Sequence, residues 1–295
     1  MRSKKLLGTI LSVLVALLLV VGGCGSGEPP PPAADDASSD AGGADAGESY
    51  KIGALVSITG AASVLGVPER NTIELLQEEL EAAGGIQGPD GQMHPVEITV
   101  YDTESEETKA VLAAKKLIEE DQVSVILGPS TSGESLAVVD TVQKAGVPMI
   151  SMASSIKIVD PPEEHQWVFK VAPNDSLNIR KLLDWIDEEG HTRAAWLSIN
   201  NAYGDSGKVE FEALAPEYGV EIVASERMDA GDTDMTAQLT KIRGTNAEVL
   251  VIYSILPEVA IAVKNQYDLG MELPLFTMGG AAHPKFIELA GAEAS

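Results

Sequence analysis

From about Tyr50 to the end of the 295-residue chain, short apolar runs alternate with longer stretches whose apolar residues recur at helical spacing. Residues 52–58 form a near-continuous apolar run, the pattern of a strand buried on both faces. Ile73, Leu76 and Leu80 then fall on one side of a helix predicted over 71–83, which Gly84-Gly85 ends. The alternation continues with a strand over 96–101, a helix over 106–119, a strand over 123–127, a helix over 133–144 and a strand over 147–151. Beyond a less regular stretch around Pro161-Pro162 a second series follows: helix 176–188, strand 194–198, helix 205–218, strand 220–224, helix 232–243, strand 249–253, helix 257–268 and strand 273–278.

Strand and helix in strict succession imply parallel sheets with helices on both faces, so the fold class is α/β. Two such doubly wound, Rossmann-like units in series are expected, a first lobe over 50–172 and a second over 173–295, with the ligand site in the cleft beyond the carboxyl ends of their strands. The first unit offers about four strands, fewer than doubly wound sheets commonly hold. With no evident stop structure in Ala290-Gly291-Ala292-Glu293-Ala294-Ser295, both lobes are expected to be incomplete and the C-terminal part of the fold to be missing.

Ahead of the alternating region the pattern changes twice. Arg2, Lys4 and Lys5 precede an apolar run over 6–21, the order of an export signal. Val21-Gly22-Gly23-Cys24 resembles a lipoprotein processing site, which assigns 1–23 to a signal peptide and makes Cys24 the lipidated first residue; an uncleaved signal anchor is the rival. Cys24 is the only cysteine, so no disulfide can form within the chain. Residues 24–49 are mostly Gly, Pro, Ala, Ser and Asp, too apolar-poor to offset their ordering entropy, and are expected to be a disordered tether.

The formal charge of -25 disfavours nucleic acid and anionic lipid surfaces as partners. Catalytic motifs fare poorly. Gly128-Pro129-Ser130-Thr131-Ser132-Gly133-Glu134-Ser135 has the place and spacing of a phosphate-binding loop, but its lysine is Glu134, a carboxylate that repels phosphate. Ser154-Ser155-Ile156-Lys157 has the Ser-x-x-Lys spacing without the companion Ser-Asp-Asn or Lys-Thr-Gly. His94, His165, His191 and His283 lack metal-ligand spacing. No enzyme activity, cofactor or metal is therefore expected.

An ordered set of motifs resembles the type I periplasmic binding proteins of the branched-chain amino acid group. It comprises Lys51-Ile52-Gly53-Ala54-Leu55-Val56-Ser57-Ile58-Thr59-Gly60, Gly84-Gly85-Ile86, Tyr101-Asp102-Thr103, Gly128-Pro129, Gly146-Val147-Pro148-Met149-Ile150-Ser151, Asn201-Ala202-Tyr203-Gly204 and Pro257-Glu258. The resemblance implies a two-lobed receptor that closes on a small polar metabolite (an amino acid, amide or carboxylate), anchored by lipid outside the cytoplasmic membrane and delivering to ABC permease subunits. A receptor that signals to a membrane partner is the alternative. The resemblance also places Ser132, Ala153, Ser155 and Tyr203 at ligand-contacting positions, and hydroxyls at helix starts are fit donors to a carboxylate or carbonyl. Two departures weigh against an α-amino acid. Gly279-Gly280-Ala281-Ala282 stands where that group carries an acid for the ligand ammonium, and Leu65-Gly66 where it often carries an aromatic ring.

Overall fold

The computed structural model describes residues 47–291, so the expected signal peptide, Cys24 and nearly all of the expected tether lie outside the described residues. The first strand, β1 (Tyr50–Val56), pairs in parallel with β4 (Val96–Asp102) on one side and β5 (Val125–Leu127) on the other. β6 (Met149–Ser151) and β7 (Val168–Lys170) extend the sheet to the order β4-β1-β5-β6-β7. Three helices cover it, α1 (Ser63–Ala82), α2 (Glu107–Glu119) and α3 (Ser132–Ala145). The alternation within β1 explains the arrangement: Leu55 points into a core with Leu117 of α2 and Val138 and Val142 of α3, whereas Ala54 and Val56 face Ile73 of α1.

The second sheet has the order β11-β10-β8-β9, built from β8 (Arg193–Ile199), β9 (Glu221–Met228), β10 (Val249–Tyr253) and β11 (Leu275–Thr277), again all parallel. One face packs on α4 (Asp175–Glu188) and α5 (Ala202–Leu214) through Trp196, Val249, Val251 and Tyr253. The other packs on α6 (Thr236–Arg243) and α7 (Glu258–Asp268) through Leu197, Leu250 and Ile252, and α8 (Lys285–Ala290) closes the described part. The chain passes from the first sheet to α4 through residues 171–174.

Three features differ from the pattern-based expectation. The first sheet has five strands, not about four, because β7 is a three-residue strand behind the Pro161-Pro162 stretch, too short to show a period. A small antiparallel hairpin, β2 (Ile86–Gln87) with β3 (Met93–His94), follows α1. Helix α1 starts at Ser63, eight residues before the expected start at residue 71, and runs through Pro68. Its first two turns are set by Gly66, whose missing side chain lets the helix lie on the backbone of Ser57: a Cβ there would come within 2.2 Å of the Ser57 carbonyl.

Candidate ligand-binding site

The strand ends of both sheets converge on one cavity of about 280 Å³. Ser130, Thr131 and Ser132 follow β5, Met152, Ala153 and Ser154 follow β6, and Ala172 and Pro173 follow β7. From the other lobe come Asn201 and Tyr203 after β8, Ile255 after β10, and Gly279 and Gly280 after β11. Leu65 of α1 and Asn178 of α4 complete the wall. This is the crevice that parallel sheets leave beyond their carboxyl ends. Among the described residues its lining has hydroxyls, amides and apolar groups but no carboxylate or cationic side chain.

The rigid element on the first-lobe side is the start of α3. Thr131 is its N-cap in extended conformation, and with Glu134 it forms a reciprocal capping box: the Glu134 N–H donates to Thr131 Oγ1 at 3.3 Å and the Thr131 N–H to Glu134 Oε2 at 3.2 Å. Glu134 also accepts from Ser57 Oγ at 2.9 Å, which explains a buried acid at the lysine position of a phosphate loop: it fastens the helix start to β1 rather than meeting a ligand. The start of α3 brings Ser132 to the cavity wall, where its hydroxyl can act as donor or acceptor.

Ser132 and Ala153 line the cavity, and Tyr203 faces them from the second lobe. Ser155 does not reach the wall. It is fully buried at the start of a short 3-10 turn (Ile156–Ile158) that packs Ile158 into the core, and its N–H points to Ser132 Oγ at 3.4 Å. Its role in this geometry is support of Ser132. Cys24 lies outside the described residues.

Several wall residues are absent from the sequence-based expectation. Ser130 accepts the Ser57 N–H at 3.0 Å and donates to Glu69 of α1, whose carboxyl is pushed up to about 7, mainly by burial and further by the charge of Glu134, with the Ser130 bond opposing. Asn201 caps α5, its Oδ1 accepting the N–H groups of Tyr203 and Gly204 at 3.0 and 3.1 Å. Behind the wall, Lys170 donates to the carbonyls of Ser154 and Ala172 and to Asn174 Oδ1, at 2.9, 2.8 and 2.8 Å, tying the first-lobe strand ends to the segment that crosses between lobes. A second hollow of about 200 Å³ shares Thr131, Ser132, Asn201, Tyr203 and Ile255 with the first and holds the acids Glu107, Glu134 and Glu258. Among the described residues no group of three or more His, Cys, Asp or Glu is placed to hold a metal ion, and no helix is long and apolar enough to cross a membrane.

A two-lobed α/β protein with its cavity at the strand ends of both lobes is a receptor architecture, and comparison with known proteins agrees. The periplasmic binding protein family matches residues 49–294. The chain belongs to this family of solute-binding proteins, within the type I fold and the branched-chain amino acid group. It is similar to "Leu/Ile/Val-binding protein homolog 3" of Brucella melitensis, at 23% identity over 82% of this chain and 64% of the relative. A "Leucine-, isoleucine-, valine-, threonine-, and alanine-binding protein" of Pseudomonas aeruginosa is 21% identical over 83% of this chain and 64% of its own length. Among solved structures, the substrate-binding protein LivJ of Streptococcus pneumoniae in complex with isoleucine superposes with a TM-score of 0.74 at 28% identity, covering 83% of this chain and 68% of that one. The chain thus spans slightly under two thirds of the length of these curated relatives.

Proposed function

We propose that this protein is an extracytoplasmic solute-binding lipoprotein that captures a small polar metabolite between its lobes and delivers it to an ABC permease. The observation that carries the proposal is the cavity itself: it is enclosed by residues of both lobes, and Ser132, Ala153 and Tyr203 meet across it. Its volume of about 280 Å³ fits an amino acid, amide or small carboxylate. Closure of the lobes would bring Ser132 at the start of α3 and the wall of Tyr203 onto opposite ends of one solute. The absence of any carboxylate from the described lining, with Gly279 and Gly280 at the position of an expected acid, supports a ligand other than a simple α-amino acid.

The proposed anchor is Cys24, lipidated after removal of 1–23, with the Pro- and Asp-rich segment as the tether. Stable attachment then needs more than one acyl chain, which lipoprotein processing supplies. Binding is tested by thermal shift of the full chain against a panel of amino acids, amides and small carboxylates, followed by calorimetry. A solute that binds parent protein and is weakened by Ser132→Ala supports the proposal; a panel with no binder contradicts it. The anchor is tested by Cys24→Ser, which should appear in the soluble fraction or remain unprocessed. A variant processed and membrane-bound like the parent contradicts that part.

A further inference from the structure

One first-lobe side chain is seated against the core of the second lobe. The core that α6 and α7 make with β8 and β10 is built from second-lobe residues, Leu197, Leu250, Ile252 and Leu256 among them. Among the described residues, Val64 of α1 is the one first-lobe side chain packed against it, and it is half-buried there. Val64 and Val67 share a groove of about 610 Å³ with Leu256 and Pro257, which follow β10, and with Leu289 of α8. Val64 is not a lining residue of the solute cavity, but its neighbour Leu65 is, and so is Ile255, the neighbour of Leu256.

The mount of this side chain belongs wholly to the first lobe. Thr59 donates its N–H and its hydroxyl to the Asp102 carboxylate at 3.1 and 2.7 Å. Ser105 Oγ donates to the Thr59 carbonyl at 2.8 Å and accepts the Ala62 N–H at 3.0 Å. Just beyond, Gly66 lets α1 lie on the backbone of Ser57. The start of α1 is therefore fastened to the ends of β1 and β4 and moves with them, so Val64 leaves the second-lobe core when the lobes part. Parting exposes an apolar side chain and the apolar wall that it covered, which costs free energy in water. We propose that Val64 is an interlobe clasp: its seat against the second lobe exists only in the closed protein, and it holds the lobes shut on a solute that it does not touch. With the solute-free protein open, loss of the seat falls on affinity, because binding must then supply the whole free energy of closure. The inference rests on the cavity being the solute site, and it makes Val64 a positioning residue that acts through the movement of the lobes.

The test is calorimetric titration of the full chain and of Val64→Ser with the amino acids, amides and small carboxylates of the solute panel, L-leucine, L-glutamine, nicotinamide, L-lactate and succinate among them. Thermal unfolding of both proteins without solute runs beside it. Half-burial of a valine sets the expected effect: every solute that binds the parent should bind Val64→Ser about 3- to 12-fold more weakly. The two solute-free proteins should unfold within about 2 °C of each other. Val64→Ile keeps an apolar seat in a groove with room for it, and should hold solute within about twofold of the parent. A seat that persists in the solute-free protein would show as a lowered unfolding temperature of free Val64→Ser, and unchanged affinity would show that the lobes close without it; either result overturns the inference. Should Val64→Ser fail to fold, Val64→Ala removes two methyl groups in favour of the best helix former, and the same comparison decides. Binding to the parent that no Val64 variant weakens leaves the cleft standing without its clasp; if no member of the panel binds the parent, both fall.

Discussion

Replacing Glu69 by Gln should stabilise the protein at alkaline pH and leave it unchanged at mildly acid pH. The Glu69 carboxyl is pushed to about 7 from an ordinary 4.5, first by burial against the start of α3 and then by the charge of Glu134 across Ser57 and Ser130. Between those two values the folded protein holds a proton that the unfolded chain has released, so stability falls as pH rises through the interval and the penalty is complete above about pH 7. Each tenfold change in proton affinity corresponds to about 1.4 kcal/mol, which sets a ceiling of about 3 kcal/mol. Solvent reaching the part-exposed side chain reduces this to about 1–2 kcal/mol. The glutamine side chain keeps an acceptor for Ser130 Oγ and carries no charge. Thermal unfolding of parent and Glu69→Gln at pH 8 should therefore differ by about 2–8 °C in favour of the variant. At pH 4.5, where folded Glu69 is neutral, the two should nearly coincide. An equal gain at both pH values, or a loss at pH 8, would show that the Glu69 carboxyl is not held protonated by its surroundings.

Lys170→Met leaves the carbonyls of Ser154 and Ala172 and the amide of Asn174 without their shared donor, and should destabilise by about 1–3 kcal/mol while opening residues 171–174 to protease; an unchanged cleavage rate would contradict this. His94 is held by the Glu48 carbonyl and by the Asp90 carboxylate, which raise its pKa above 6.5, so its support of the β2–β3 hairpin is full below pH 6.5 and is lost as pH rises through the folded value. Amide exchange in that hairpin, corrected for intrinsic rates, should be faster at pH 8.5 than at pH 6 in the parent, and pH-independent in His94→Phe. Gly207→Ala should displace the Tyr253 ring and destabilise by about 1–3 kcal/mol, read as a lowered denaturant midpoint; a neutral outcome would mean that α5 is free to shift.

The sheets are legible in the sequence where a strand sits within an apolar run: the strand expected over 249–253 is found without adjustment as β10. β7 is not legible, since Val168-Phe169-Lys170 is a strand only because it pairs with Met149-Ile150-Ser151. Helix α1 is half legible. Its first turns are dictated by Gly66 against Ser57, a tertiary contact that leaves no period. At the site, Ser132, Ala153 and Tyr203 come from the family resemblance, and the structure puts all three in loops or helix starts after strand ends, on the wall of the cavity. Ser155 comes from the same resemblance but is turned inward by its 3-10 turn. Asp175 and Tyr253 lie 78 residues apart, and the pairing of a helix-start acid with a strand-end tyrosine depends on how α4 crosses the sheet, which no local pattern records.

The central claim is that the cavity between the lobes takes one small polar solute against Ser132 at the start of α3. It is tested most directly by calorimetric titration of the first solute identified in the panel against the parent and Ser132→Ala. The account predicts one-site binding to the parent, weakened about 5- to 150-fold in a folded Ser132→Ala variant. Binding of equal strength to both proteins would place the solute elsewhere and contradict the account.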